Sequence, residues 1–382
     1  VKAAIGSVGI VLWLAGCQAF DRDRYQSLVN GQDVMDPIGT DVMDTDMFNS
    51  DVPGLGGGAC LTRTIAADSG CASVVFPSVP PSVPAGPSNG RTYVLAVKSI
   101  LLGPGTFGRW DLYGFDLDGV CTNPAEIPPK VSCSNRALVA DGQQGRDNAF
   151  GNGIGVALFV ADYYRDSTVT SSISSARITI GFKVTEWSGL DDRSVTVEVV
   201  TLVQGRSASG ADGLAWDGRD VWNIERSYSQ TRSGMPLSQT TTGGIACGWI
   251  VARFADITRV YLPHRSAIRR FTLRDLHLAG PVDLLRGGAA DITAMSTVSD
   301  VLNDLDWMGL CANDPMSQSI RMDVMTGTTR ALDVRNDLSF NPALPCEAST
   351  ISARLELVPV TLGGVVDSPL LNYDPCPADA GR

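Results

Sequence analysis

Acidic side chains gather in one stretch of this chain. Residues 110–121 read W-D-L-Y-G-F-D-L-D-G-V-C, and beyond a proline-rich excursion to Cys133, residues 141–151 read D-G-Q-Q-G-R-D-N-A-F-G. A hard cation such as Ca2+ takes about six to eight oxygens, and alternating carboxylates with a glycine at the sharp turn supply them over a short length of chain. Asp116 and Asp118 from the first half, with Asp141, Asp147 and Asn148 from the second, form a candidate Ca2+ set. The twelve-residue order of an EF-hand is absent. Carboxylates capping backbone N–H groups in turns are the plainer use of the same residues.

A second acidic patch, D-G-L-A-W-D-G-R-D-V-W-N, covers residues 212–223. Trp216 and Trp222 are placed to stack a sugar ring while Asp217 and Asp220 hold its hydroxyls, which makes these four a candidate ligand-binding group. A tryptophan pair packed in a core beside turn residues is the alternative. Residues 116–119 also resemble the first motif, D-x-D-G, of haloacid-dehalogenase-type phosphatases, whose first Asp is the nucleophile and second the acid/base. With Phe115 before it, that resemblance covers five residues, 115–119. It lacks a long apolar strand before Asp116 and a downstream G-D-x-x-x-D. It implies an exported metal-dependent hydrolase, with a glycan-active site around Trp216 and Trp222 as the other enzymatic option. No G-x-S-x-G elbow is present, and His264 and His277, the only histidines, stand in no triad context.

These residues must be held by a scaffold, and composition points to strands. The 382 residues include 40 Gly and 21 Pro, with hydrophobic content of 44%, enough for a full core and rich in turn formers. The net charge of −11 and the lack of a basic stripe argue against nucleic-acid binding. Residues 93–102 read as a strand. Residues 176–187 alternate strictly, with Ile178, Ile180, Phe182 and Val184 on one face. A turn at 188–192 leads to a partner bearing Val195, Val197 and Val199, which together predict a long hairpin. Further strands are expected at 249–254, 258–262, 267–273 and 351–357, and one helix over 292–308. Many short strands in one domain predict a mainly β protein of β-sandwich or jelly-roll type, stapled by disulfides, with one or two short helices.

The first residues set the compartment. Lys2 precedes an apolar run that ends in Leu14-Ala15-Gly16-Cys17, short for a membrane span but suited to a secretory signal. L-A-G-C resembles the lipobox of bacterial lipoproteins. The resemblance implies cleavage before Cys17, acylation of that cysteine and anchorage in a bilayer of the cell envelope, on the periplasmic face of the outer membrane or at the cell surface. Apart from Cys17, eight cysteines remain: Cys60, Cys71, Cys121, Cys133, Cys247, Cys311, Cys346 and Cys376. An even number in an exported chain predicts four disulfides. Cys60–Cys71 and Cys121–Cys133 are the local pairings. The expected organisation is a signal peptide over 1–16, an acidic tether over 17–59, a cysteine-closed segment and proline-rich linker over 60–90, and the body over 91–382.

L-A-G-C, the two halves of the acidic stretch and the run P-C-E-A-S-T-I-S-A-R-L-E-L-V-P-V-T-L-G at 345–363 together are similar to uncharacterised lipoproteins of myxobacterial type. The resemblance covers the central loop and the last forty residues. It carries no activity and bears on the compartment alone. The absence of a complete catalytic set favours a membrane-anchored binding or structural module, with a glycan or envelope protein as partner, over an enzyme.

Overall fold

The computed structural model describes residues 61, 67–68, 71–103, 109–154, 166–211, 213–226, 239–264, 267–307, 309–367 and 376. The expected signal peptide, Cys17 and the acidic tether lie outside these residues. The described chain is mainly β. A short pair, β1 (Ala67–Asp68) and β2 (Cys71–Ala72), precedes β3 (Tyr93–Leu101). A two-residue strand, β4 (Cys133–Ser134), lies in the acidic stretch and pairs in parallel with β12 (Asn341–Pro345). Between them run β5 (Ile178–Thr185), β6 (Asp192–Arg206), β7 (Val221–Glu225), β8 (Gln239–Ala246), β9 (Trp249–His264), β10 (Ala267–Asp283) and β11 (Gly287–Thr297). The last strand is β13 (Ala348–Val366).

The sheet does not split into the two facing layers of a sandwich. Its order is β11-β10-β9-β8-β6-β5-β3-β13, and β13 pairs back onto β11, so eight antiparallel strands close into a barrel. Alternation predicts each strand but carries no information about whether the two outermost strands meet. The predicted hairpin is β5–β6, in register with Phe182 opposite Val199 and Val184 opposite Val197. The strand expected at 93–102 is β3, those at 249–254 and 258–262 merge into β9, and those at 267–273 and 351–357 lie within β10 and β13.

The barrel lumen is packed rather than hollow. Leu95, Phe182, Val197, Ile250, Leu278 and Leu355 point into one apolar core. A helix, α1 (Asp166–Ala176), packs against both β3 and β9, which stand on opposite walls of the ring, and adds Val169 and Ile173 to that core. A packed apolar lumen is the reverse of the polar interior of a membrane-spanning barrel. No helix among the described residues is long and apolar enough to cross a membrane.

Two further helices follow the barrel, α2 (Val298–Trp307) and α3 (Pro315–Arg330). The helix expected from residue 292 begins instead at 298, because Ile292 to Thr297 pair with β13, and Ile292, Thr293 and Met295 pair with β10 as well. Thr297 then caps α2. The Asp300 amide donates to Thr297 Oγ1 at 3.2 Å, and the Thr297 amide donates to Asp300 Oδ2 at 3.1 Å. Asp300 also takes a bidentate hydrogen bond from Arg274, and Asp304 accepts from Arg270, fastening the helix to β10.

A second, smaller ring shares the barrel wall. β7 pairs antiparallel with the end of β6 and parallel with the end of β13, so β3, β5, β6, β7 and β13 also close on themselves. Val94, Ala96, Val200, Leu202, Trp222 and Ile224 fill this ring. Its tight spacing is set by Gly205, where a Cβ would stand 2.6 Å from the Trp222 ring.

Two disulfides join described cysteines: Cys133–Cys346 and Cys311–Cys376. Cys121 and Cys247 are disulfide-bonded as well. The local pairing Cys121–Cys133 is therefore corrected: Cys133 lies on β4, and β12 brings Cys346 against it. Cys60 of the other local pairing lies outside the described residues. Disulfides are the mark of an oxidising compartment.

The packing at Gly205 predicts that Gly205→Ala loses about 1–3 kcal/mol of stability by overpacking. Gly327, within α3, meets nothing within 4 Å of an added Cβ, so Gly327→Ala should gain about 0.4–1 kcal/mol. Urea unfolding should show the midpoint moving down in the first variant and up in the second, with the slope unchanged in both.

Candidate metal site

The acidic loops lie on the outside of the barrel, across β11 and β13. These strands turn polar side chains outward here, and the loops use them all. The Gly114 amide donates to Asp291 Oδ2 and the Phe115 amide to Thr293 Oγ1. The Ala149 amide donates to Thr350 Oγ1, and Ser352 Oγ donates to the Asp147 carbonyl. Gly114 has φ of +95° and sits so close that a Cβ would meet Ser352 Oγ at 2.1 Å. Only glycine meets both demands. Phe115 then packs on Val251, Ala279 and Phe76.

Residues 116–120 coil around their own carboxylates. The Asp116 amide donates to the Val74 carbonyl, while Asp116 Oδ1 accepts the Gly119 amide at 2.6 Å. Asp118 Oδ1 accepts the Val120 amide at 2.8 Å. Asp147 Oδ2 reaches across from the second half of the loop and accepts the Leu117 and Asp118 amides at 2.6 and 3.3 Å. Each carboxylate thus spends one oxygen on the backbone. The other oxygens of Asp116 and Asp147, Oδ2 and Oδ1, are buried and have no hydrogen-bond partner. The Ser73 hydroxyl stands beside Asp116 without completing a hydrogen bond to it.

Asp116, Asp118 and Asp147 each bring an oxygen within 4.8 Å of the other two, forming a cluster that could hold a metal ion. Asp141 stands nearby. Its Oδ2 accepts the Thr122 amide at 2.5 Å and its own amide donates back to the Thr122 carbonyl, which closes the loop. Asp333 joins from two hundred residues away, with both oxygens held by the Thr350 amide and hydroxyl. The Cys133–Cys346 disulfide ties the two chain segments together beside it, and the Asp333 carbonyl accepts from Ser132 Oγ.

Five carboxyls crowded into a dry loop repel one another. Burial is the main reason all five are raised, and like charges add to it for Asp118, Asp141, Asp147 and Asp333. Asp118 and Asp333 are pushed up to about 7 and Asp141 to about 9. Asp147 is raised well above the ordinary range. Asp118 and Asp141 keep an accessible edge, while Asp116 and Asp147 are sealed.

Of the residues expected from sequence, Asp116, Asp118, Asp141 and Asp147 are brought together. Asn148 is adjacent but engaged elsewhere: its Nδ2 donates to the Trp110 and Ser352 carbonyls, and its Oδ1 accepts the Gly151 and Ser352 amides. Its amide therefore pins the loop to β13. Asp333 carries no local signal, since nothing in A-L-D-V-R-N-D resembles a binding loop.

The tryptophan patch does not form a platform. Trp222 is fully buried in the small ring, and Trp216 leans on it with ring centroids 5.7 Å apart. Asp220 is buried too and accepts the Ala215 and Trp216 amides. Asp217 is exposed and accepts the Arg219 amide. The pair is core, and the carboxylates shape the turn that places Trp216.

The fold and site together define a closed, disulfide-bonded β-barrel carrying a carboxylate cluster on its outer wall. Comparison with family models, with curated proteins and with solved structures finds no match for this chain.

With excess chelator, the raised carboxyls give the stability curve a definite sign. Folded values of about 7 and 9 stand against 3.8 for the unfolded groups. Between those limits the folded state holds more protons, so stability falls as pH rises. Thermal melts in chelator should be highest at roughly pH 4 and decline towards roughly pH 9. Asp147→Asn should flatten the decline and raise stability at the alkaline end by about 1 kcal/mol or more, because its amide can donate to the unpaired Asp116 oxygen.

Proposed function

We propose that this chain is an exported lipoprotein of the bacterial cell envelope, whose barrel is a binding or structural module stabilised by Ca2+ at Asp116, Asp118 and Asp147. The observation that carries the reading is the pair of buried, unpartnered oxygens on Asp116 and Asp147. A buried carboxylate oxygen without a donor is costly. A cation between these groups would satisfy both and replace the protons that burial otherwise imposes. The oxygen-only donor set suits a hard cation. A crowded, irregular set of carboxylates suits Ca2+, which accepts flexible geometry, better than Mg2+, which demands a near-ideal octahedron and gives up its waters reluctantly.

The site is enclosed by backbone and braced by a disulfide, which suits an ion that holds loops together. Catalytic ions keep an open coordination position. The lipid anchor rests on L-A-G-C at residues 14–17, and the disulfides agree with export. The bilayer, reached through acylated Cys17, is then the first partner. A glycan or envelope protein is the second.

Two measurements check this. At millimolar Ca2+ and a Kd of ~10⁻⁴–10⁻³ M, the ion should add about 0.4–1.4 kcal/mol of stability. That should raise the melting temperature by a few degrees over chelator, with Mg2+ doing less, and Asp118→Asn should remove the response. A melt indifferent to Ca2+ would leave the carboxylates as turn formers. Separately, fatty-acid labelling should mark the parent chain and fail in Cys17→Ser, which should leave the membrane fraction. A Ser variant that stays membrane-bound would overturn the anchor.

A further inference from the structure

We infer that one rim of the barrel, built from the β5–β6, β8–β9 and β10–β11 hairpin tips, docks on the surface of a lipid bilayer; this rests on the lipid-anchored reading above. Strands alternate up and down around the ring, so these three connections open at the same end. The tips are joined into one surface. The Cys247 amide donates to Asp191 Oδ1 at 2.9 Å, and the Val282 amide donates to the Gly248 carbonyl at 2.9 Å. On either side of the central tip stands a leucine held out to solvent, Leu190 with 77% of its surface exposed and Leu285 with 67%.

Neither leucine is a loose end. Trp187 Nε1 donates to the Leu190 carbonyl at 2.6 Å, which fixes that turn, and Trp187 packs edge-on against Tyr93 at 5.1 Å. Across the rim, the Leu285 amide donates to Asp283 Oδ1 at 2.8 Å. Leu190, backed by Trp187 and Tyr93, and the protruding Leu285 are side chains of the kind that settle at the boundary between headgroups and acyl chains. Charge does not oppose the contact. The chain as a whole carries −11, but here exposed Arg91, Arg193 and Arg286 stand among Glu186, Asp191 and Asp283. The rim suits a zwitterionic surface.

From Cys17 to Leu61 the chain can reach roughly 150 Å at most, so an acylated Cys17 would keep the rim close to the bilayer, where a weak apolar contact becomes populated.

The test uses the chain from residue 17 onward carrying Cys17→Ser, held on phosphatidylcholine vesicles by an N-terminal histidine tag and a nickel-chelating lipid. Amide exchange at residues 186–191 and 283–287 should slow several-fold on vesicles relative to solution. In Leu190→Asp/Leu285→Asp the slowing should be lost, while exchange within β9 and β10 stays unchanged and reports an intact fold. Leu190→Ser/Leu285→Ser serves if the aspartates disturb the turns. Exchange unaffected by vesicles, or slowing that survives both double variants, overturns the inference. Slowing that appears without vesicles as protein concentration rises assigns the rim to a second copy and overturns it too. The artificial tether makes the outcome independent of whether Cys17 is acylated, which fatty-acid labelling decides on its own.

Discussion

The pairing of β13 is the constraint from which the rest of the structure follows. Over 19 residues this strand pairs with β11, β3 and β7 in turn. Its first half closes the eight-stranded barrel, and its second half closes the smaller ring around Trp222. Closure removes the unpaired edges that an open sheet of this size would expose. It also fixes which residues of β13 point outward. Thr350, Ser352 and Arg354 are the ones that meet the acidic loops, Asp333 and Asp291. A register slip of one residue would turn Ile351 and Ala353 to the loops and bury three polar side chains in the lumen.

Seen from the loops, the same contacts explain how so much negative charge is tolerated. Asp116, Asp118, Asp141 and Asp147 each spend an oxygen on a backbone amide within the loop system. Hydrogen bonds of this kind lower a carboxyl's proton affinity, yet burial outweighs them at every one of the four. The backbone alone therefore does not balance the cluster. Protons or a cation must, and Asp116, Asp118 and Asp147 stand close enough together that they could hold the latter.

Much of this was legible in the sequence, for local reasons. Strict alternation over 176–187, then Val195, Val197 and Val199 on one face after the turn, gives the β5–β6 hairpin because its two strands are adjacent in the chain. Four of the five acids share one stretch, so spacing alone nominates them. What escaped was non-local. Closure depends on strands that lie far apart in the chain, and Asp333 reaches the cluster only because β13 and the Cys133–Cys346 bridge bring it there. The helix placed at residue 292 failed because apolar spacing in A-D-I-T-A-M-S-T fits either period, and pairing on both sides decided for the strand. Trp222 is core because closing a small ring needs one large side chain over Gly205. No composition rule distinguishes that from a sugar platform. Helix α1 was missed because D-S-T-V-T-S-S-I-S-S-A is poor in strong helix formers, and packing across the lumen supplies what propensity does not.

One signal in the sequence does point to the site, though it is read only once the strands are known. In β11 and β13 the outward positions Asp291, Thr293, Thr350 and Ser352 are polar, as on a solvated face, but all four are buried. Polar side chains on the outside of a barrel need no partner when water reaches them. Buried, each needs one, and each finds it in the loop that carries the carboxylates. Peeling the loop away would strand these groups or flood them, so loop and barrel wall share one stability. An ion held by Asp116 and Asp147 would then act on the barrel through hydrogen bonds that the loop already makes. The acidic loop and the closing strands are one cooperative unit, and filling the cluster would bear on the strand pairing that closes the ring.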